Sequence, residues 1–388
     1  MAIRSLGNSK VRYAAVLKDT GGRAAYKFNE WYGNRGIWAG GYGGSPGKYQ
    51  TIINYEEIDT SGNAADFGDL TAGRQYVVGA SNGTRGVFMG GDGPSPLQPT
   101  KTERIDYITI GTTGNASDFG DLTEPTEAPA SCSDGYGRGI RAGGQYPGTP
   151  YQNTIDFVTI SIRGYATDFG NLATAANQFQ GCNDKTRGVF AGGNVSPGTE
   201  TNVIQYITTQ TASNATDFGD LTVARSYPAG AASPTRGLFA GGFVDQKDEI
   251  DYITIATTGN AVDFGNLVRG KWMQDGAVSS GIRAVFGNGN DGSSPFGWKD
   301  NRIDYVTIAT TGNSTDFGDA STYMCPSGAQ SSTRGVWFGG QKGPAGPAWI
   351  TTIQKIEIST LGNPSEFGDL TLARGRQSGL SNGGGGLV

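Results

Sequence analysis

The chain has 388 residues, of which 65 are Gly, 17% are charged and 36% hydrophobic, with no His and a formal net charge of −5. That composition is too poor in Leu and Met for a helical bundle and too rich in Val, Ile, Phe and Tyr for disorder, so the chain reads as all-β. An acidic balance without a basic stripe excludes a nucleic-acid footprint, and the lack of imidazole excludes Ser-His-Asp and Cys-His nucleophiles, histidine-ligated zinc or copper, and a histidine acid or base.

The opening stretch, MAIRSLGNSKVRYAAV, lacks the apolar core of a secretory signal, and no run reaches the length of a bilayer span, so no membrane insertion is expected. Residues 1–20 read as an N-terminal arm and 21–388 as one repetitive domain. Cys132, Cys182 and Cys325 are too few and too scattered for a disulfide framework or a thiolate metal site.

Along the domain, three elements recur seven times in fixed order. The first unit carries RGIWAGG (35–41), INYEEI (53–58) and NAADFGDLT (63–71); the second RGVFMGG (85–91), IDYITI (105–110) and NASDFGDLT (115–123). The third carries RGIRAGG (138–144), IDFVTI (155–160) and YATDFGNLA (165–173); the fourth RGVFAGG (187–193), IQYITT (204–209) and NATDFGDLT (214–222). The fifth carries RGLFAGG (236–242), IDYITI (250–255) and NAVDFGNLV (260–268); the sixth RAVFGNG (283–289), IDYVTI (303–308) and NSTDFGDAS (313–321). The seventh carries RGVWFGG (334–340), IQKIEI (353–358) and NPSEFGDLT (363–371). The arginines that open the units are 47 to 53 residues apart.

Within a unit the apolar segments are short, alternate with period two and are bounded by Gly, Pro, Asn and Asp, which predicts strands and turns. In residues 223–268 these are strand A around ARSYPAGAA, B in RGLFAGG, C in EIDYITIATT and D near DFGNL. Four short strands at a period of about fifty residues is the pattern of a propeller blade, a small sheet that buries its faces against its neighbours. A strand ending in Gly-Gly, a variable loop, a strand of the IDYITI type and an aromatic about ten positions on resembles the kelch repeat over residues 21–388. The resemblance implies a seven-bladed β-propeller of kelch-like four-stranded repeats. Phe stands where kelch units usually carry Trp, and Asn288-Gly289 replaces Gly-Gly in the sixth unit.

The Asp-Phe-Gly triplet would hold magnesium in a protein kinase, but the companion His-Arg-Asp loop is absent from a chain without His. The expected role is structural: Phe67, Phe119, Phe169, Phe218, Phe264, Phe317 and Phe367 as packing anchors between blades, with the Asp and Gly capping and turning the chain at the outer strand. Carboxylate pairs such as Asp66 with Asp69, or Asp118 with Asp121, lose their second member to Asn171 and Asn266 in two units, so no metal and no cofactor are expected. The repeat arginines, Arg35, Arg85, Arg138, Arg187, Arg236, Arg283 and Arg334, could line a channel. Pairing with an Asp of a neighbouring strand is the expectation, because a ring of unpaired arginines repels itself.

The stretch LTLARGRQSGLSNGGGGLV (370–388) repeats LTAGRQYVVGASNGTRGVF (70–88), the strand A region of the second unit. Residues 21–38 contain a rival candidate for the first unit. Joining the two ends within one blade closes a ring without side-chain-only contacts, so 372–388 is expected in the first blade, replacing or pairing beside the N-terminal candidate.

Alternating strands bring the B–C and D–A connections to one face. The C–D loops are nearly uniform whereas the B–C loops vary, and variable loops on a uniform scaffold are where binding is usually built. Their aromatics, Tyr42, Tyr49, Tyr146, Tyr151, Phe243, Phe296, Trp298 and Trp349, suit sugar rings or a protein partner, or else fold back over blade edges. The TTGNATDFGDLT style of repeat resembles propeller-like repeats in virion proteins of tailed bacteriophages, notably those of marine cyanobacteria. That resemblance implies a non-enzymatic tail, fibre-associated or capsid-surface component in several copies in the virion, contacting other virion proteins or host surface glycans. An intracellular kelch-type interaction propeller is the alternative, and a glycan-cleaving enzyme stands behind both, since no carboxylate pair stands out from the repeat.

Overall fold

The computed structural model describes residues 33–381 apart from 45–47, 95–101, 135–136, 147–150, 244, 274–275, 288, 292–300, 322–326 and 343–347. The N-terminal arm, residues 21–32 of the rival candidate 21–38, Asn288, Phe296, Trp298 and Cys325 lie outside the described residues.

Alternating apolar residues become strands. In the fifth unit these are Ala229–Ala232, Arg236–Ala240, Glu249–Thr254 and Val262–Asn266, paired antiparallel in chain order. Among the described residues there are seven such four-stranded sheets and no helix. The architecture is all-β and propeller-like. In the first sheet, strand A comes from the far end of the chain: Ser378–Ser381 pairs with Arg35–Ala39, Gly36 opposite Ser381 and Ala39 opposite Ser378. Each A strand touches the A strand of the next sheet, and Ser378–Ser381 touches both Ser327–Gln330 and Val78–Ser81.

The core is divided between sheets. Phe67 and Leu70 of the first sheet pack with Phe88, Ile108 and Ala116 of the second, and Phe218 of the fourth with Phe239, Ile253 and Ile255 of the fifth. Every triplet Phe is buried, and six meet the ring of the strand C residue before them edge-on, as Tyr206 meets Phe218 at 5.8 Å. The triplet itself is not a terminal turn. It lies inside strand D at a bulge, where Ile53 opposes Gly68 and Asn54 opposes Asp66, leaving Phe67 as the extra residue. Gly219 of the fourth sheet has φ 141°, and a Cβ there would sit 2.5 Å from the carbonyl carbon of Gly259 in the next sheet's C–D turn. That turn is clasped to strand D by Gly259 N donating to Phe218 O (2.7 Å), Ala261 N to Asp220 O (2.8 Å) and Asp220 N to Asn260 Oδ1 (3.1 Å). The uniformity of the C–D loops has this cause: each covers the exposed edge of the sheet before it.

The repeat arginines depart from the expected Asp pairing. Arg187 Nη1 donates to Ile255 O of the next sheet (3.0 Å), and its guanidinium lies 4.6 Å from the ring centroid of Tyr206. The same bond steps from sheet to sheet, Arg35 to Ile110, Arg85 to Ile160, Arg138 to Thr209, Arg236 to Ile308 and Arg283 to Ile358, and Arg334 of the seventh sheet returns to Ile58 of the first. A backbone carbonyl with a free lone pair and a ring face together satisfy the guanidinium without a carboxylate. Arg35 and Arg334 also pair with Glu57 and Glu357 of their own sheets.

The aspartates of the IDY segments have other partners. Asp106 faces Arg74 (3.0 Å), Asp304 faces Lys271 (2.9 Å), and Asp156 and Asp251 bond Arg141 and Arg225, all of them buried. In the fourth sheet Gln205 replaces the Asp and Ala176 stands where the repeat would place the cation. In the first, Asn54 Oδ1 accepts from Arg374 Nη2 (2.9 Å), and burial pushes the Arg374 guanidinium down to about 9. Glu56 differs from all of these: it is 4% exposed, and neither carboxylate oxygen has a hydrogen-bond partner among the described residues. Its counterparts in the other sheets are Ile108, Val158, Ile207, Ile253, Val306 and Ile356.

Candidate binding face

The B–C loops and D–A connections meet on one side of the sheets. Tyr42–Gly43 pairs with Lys48–Tyr49 in a small hairpin and also with Arg374–Gly375, Tyr42 opposite Gly375. A second hairpin pairs Gln341–Lys342 with Ala348–Trp349. Tyr42 and Tyr49 meet edge-on at 5.5 Å, and Tyr42 meets Trp349 at 6.2 Å. The Tyr49 hydroxyl donates to Asp92 Oδ2 (3.0 Å), and burial together with that carboxylate pushes Tyr49 up to about 12. Three of the predicted aromatics thus form one cluster between the first and last sheets.

The others are placed apart. Phe243 is 43% exposed and packs edge-on against Tyr227 (6.2 Å) and Trp272 (5.8 Å), neither of which the loop comparison selected. Tyr146 and Tyr151 are half-buried on the third sheet's loop, with Tyr151 near enough to Tyr227 to help raise its hydroxyl. The loop aromatics therefore pack on one another while keeping part of their surface in solvent.

A column of residues that sequence reasoning passed over rims the same face. Tyr76, Ala128, Gln178, Tyr227 and Arg376 each stand two residues before an A strand, and each has a left-handed backbone, φ 50° to 59°. Non-glycine residues seldom adopt that conformation, and sites that hold them there are often functional. Neighbouring members are bonded in two places, Tyr227 N to Gln178 O (2.8 Å) and Tyr76 N to Arg376 O (3.1 Å). Aligning the repeats would have exposed this column, because bulky side chains occupy a position where a turn would normally take glycine.

Below it, all seven A strands line a cavity of about 210 Å³, with Ala128, Gln178 and Tyr227 at its rim. Small and neutral residues form the wall, among them Ser81, Ser133, Gln180 and Gln330, and no charged side chain contributes. Burial raises the Tyr227 hydroxyl well above its usual range, with Tyr76 adding to the effect and Arg376 opposing it.

Among the described residues no group of three or more His, Cys, Asp or Glu side chains is placed to hold a metal ion. The triplet aspartates are used locally, as where Asp263 Oδ1 accepts Gly265 N (2.9 Å) and Asp316 Oδ1 accepts Gly318 N (2.9 Å). Cys132 and Cys182 are buried free thiols, and desolvation pushes Cys132 up to about 12, which makes it inert as a nucleophile. No protein-family model matches the chain, and no curated protein gives a significant match.

Proposed function

We propose that the protein is a non-enzymatic, closed seven-bladed propeller that serves as a structural and binding component of a tailed-phage virion. Closure is supported by the strand from Ser378–Ser381 beside Arg35–Ala39 and by the bond from Arg334 back to Ile58 O. The virion assignment rests on the resemblance of the TTGNATDFGDLT repeats to those of phage particle proteins.

The observation that carries the binding role is the half-exposed aromatic cluster of Tyr42, Tyr49 and Trp349 on variable loops above a rigid scaffold. Aromatic rings with hydrogen-bonding groups beside them suit a glycan or a second virion protein. The test is to purify phage particles from a lysate and count copies of this chain per particle by quantitative mass spectrometry. Stoichiometric presence is expected. A chain found only in the soluble fraction would overturn the virion reading in favour of an intracellular interaction propeller.

A further inference from the structure

We propose that Arg376 is the anion-recognising centre of a site for a carboxylated sugar, walled by Tyr76, Trp349 and Tyr42. The inference rests on the glycan branch of the binding role given above and names its ligand class.

Arg376 is exposed, yet its head group is held in place. The guanidinium lies 5.2 Å from the Tyr76 ring centroid and 5.9 Å from that of Trp349. Among the described residues the guanidinium makes one hydrogen bond, from Nη1 to Gln75 Oε1 (3.3 Å). A guanidinium carries five N–H donors, so most of this fork remains unspent. The other arginines on which the sheets depend are buried or half-buried and turned to buried aspartates such as Asp106 and Asp251 or to backbone carbonyls of the next sheet, whereas Arg376 faces solvent. No carboxylate lies within ion-pair distance of Arg376 among the described residues. Its backbone sits at φ 59°, the left-handed conformation that the whole column shares, and this sets the side chain at the rim.

The walls fit a sugar. The Trp349 ring lies over Gly375, where a Cβ would stand 2.5 Å from Cζ3, so the glycine lets the indole lie flat beside the arginine. Tyr42 closes the next side at 6.2 Å. Flat aromatic faces take the C–H face of a pyranose, while the planar fork takes a carboxylate through two parallel bonds. Charge selects the class further. Asp92 is held by Tyr49 and Gln75 at the edge of the cluster, so the site's positive potential is modest and suits a monoanion better than a phosphate dianion.

The experiment is saturation-transfer NMR and isothermal titration on the full chain. The probes are N-acetylneuraminate and glucuronate, with galactose and glucose as neutral counterparts and inorganic phosphate as the competing anion. The expected result is that at least one acidic sugar binds about tenfold or more tightly than the neutral sugars and phosphate, a difference of one ion-paired fork. Arg376→Gln should remove that preference, Arg376→Lys should fail to restore it because an ammonium lacks the fork, and Ile162→Ala, in an exposed C–D turn, should leave it intact. If Arg376→Gln melts early, loss of acidic-sugar binding in 0.5 M salt, at roughly a 4 Å Debye length, replaces it as the readout. Equal binding of neutral and acidic sugars, tighter binding of phosphate, or an unchanged Arg376→Gln would each overturn the assignment. Particle stoichiometry is indifferent to all of these outcomes, so a chain present in virions that binds no sugar would defeat this site while leaving the virion role standing.

Discussion

Replacing Glu56 by isoleucine should stabilise the protein, and by an amount that depends on pH. The carboxyl lies in the face of the first sheet that packs on the seventh, where Trp38, Val336 and Phe338 form the core, and desolvation alone raises it from 4.5 to about 8. Between those values the folded chain keeps a proton that the unfolded chain has released, so rising pH favours unfolding. The loss begins near pH 4.5 and is complete near pH 8. At pH 7 it amounts to ~3 kcal/mol, taking 1.36 kcal/mol for each pH unit above the unfolded value. Urea denaturation of wild type and Glu56→Ile at pH 5, 7 and 9 measures it. The two proteins should be close at pH 5 and diverge by about 3 kcal/mol or more above pH 7. With no His in the chain, little else titrates in that window. Wild-type stability that is flat from pH 5 to 8, or a variant weaker than wild type at pH 9, would refute the account of a partnerless buried carboxyl.

Further expectations follow from the packing between sheets. Arg225→Ala leaves Asp251 buried and uncompensated and should cost about 3–5 kcal/mol in chemical denaturation. The double change Arg225→Ala with Asp251→Gln installs the Ala176/Gln205 combination of the fourth sheet and should recover most of that loss; additive losses would show that the pair does not act as a unit. Phe218→Ala should cost ~3–5 kcal/mol as a buried aromatic, and an unchanged melting temperature would remove it from the core. Gly219→Ala should be destabilising through both its left-handed backbone and the nearby Gly259 carbonyl, whereas Gly111→Ala, with open space around it, should be silent in the same thermal melt.

The strands were legible because period-two alternation and glycine punctuation are local: the predicted A to D segments of residues 223–268 overlap Ala229–Ala232, Arg236–Ala240, Glu249–Thr254 and Val262–Asn266, with A and C shorter than read. Arg225 and Asp251 escaped notice because they sit in different elements of the repeat, and an Asp within IDYITI looks like an ordinary polar residue of an alternating strand. The repeat arginines were misassigned for a related reason. Sequence displays side chains, and the actual acceptor is a main-chain oxygen one sheet away, invisible to any pattern of residue types. On the candidate face, loop variability singles out Tyr42, Tyr49 and Trp349, which the structure brings together, while Arg376 and Tyr227 lie in the more uniform D–A connection and give no such signal.

The pairing of Gly36–Ala39 with Ser378–Ser381 also orders events during synthesis. The Arg35–Ala39 strand is translated before the strands of the other six sheets, but its inner edge stays open until Ser378–Ser381 follows. Of the seven sheets, the first begun is thus the last to be completed, and a nascent chain carries an unpaired strand edge until then. A ribosome that stops short of residue 378 releases a product whose damage appears in a sheet begun long before, the one that holds Trp38.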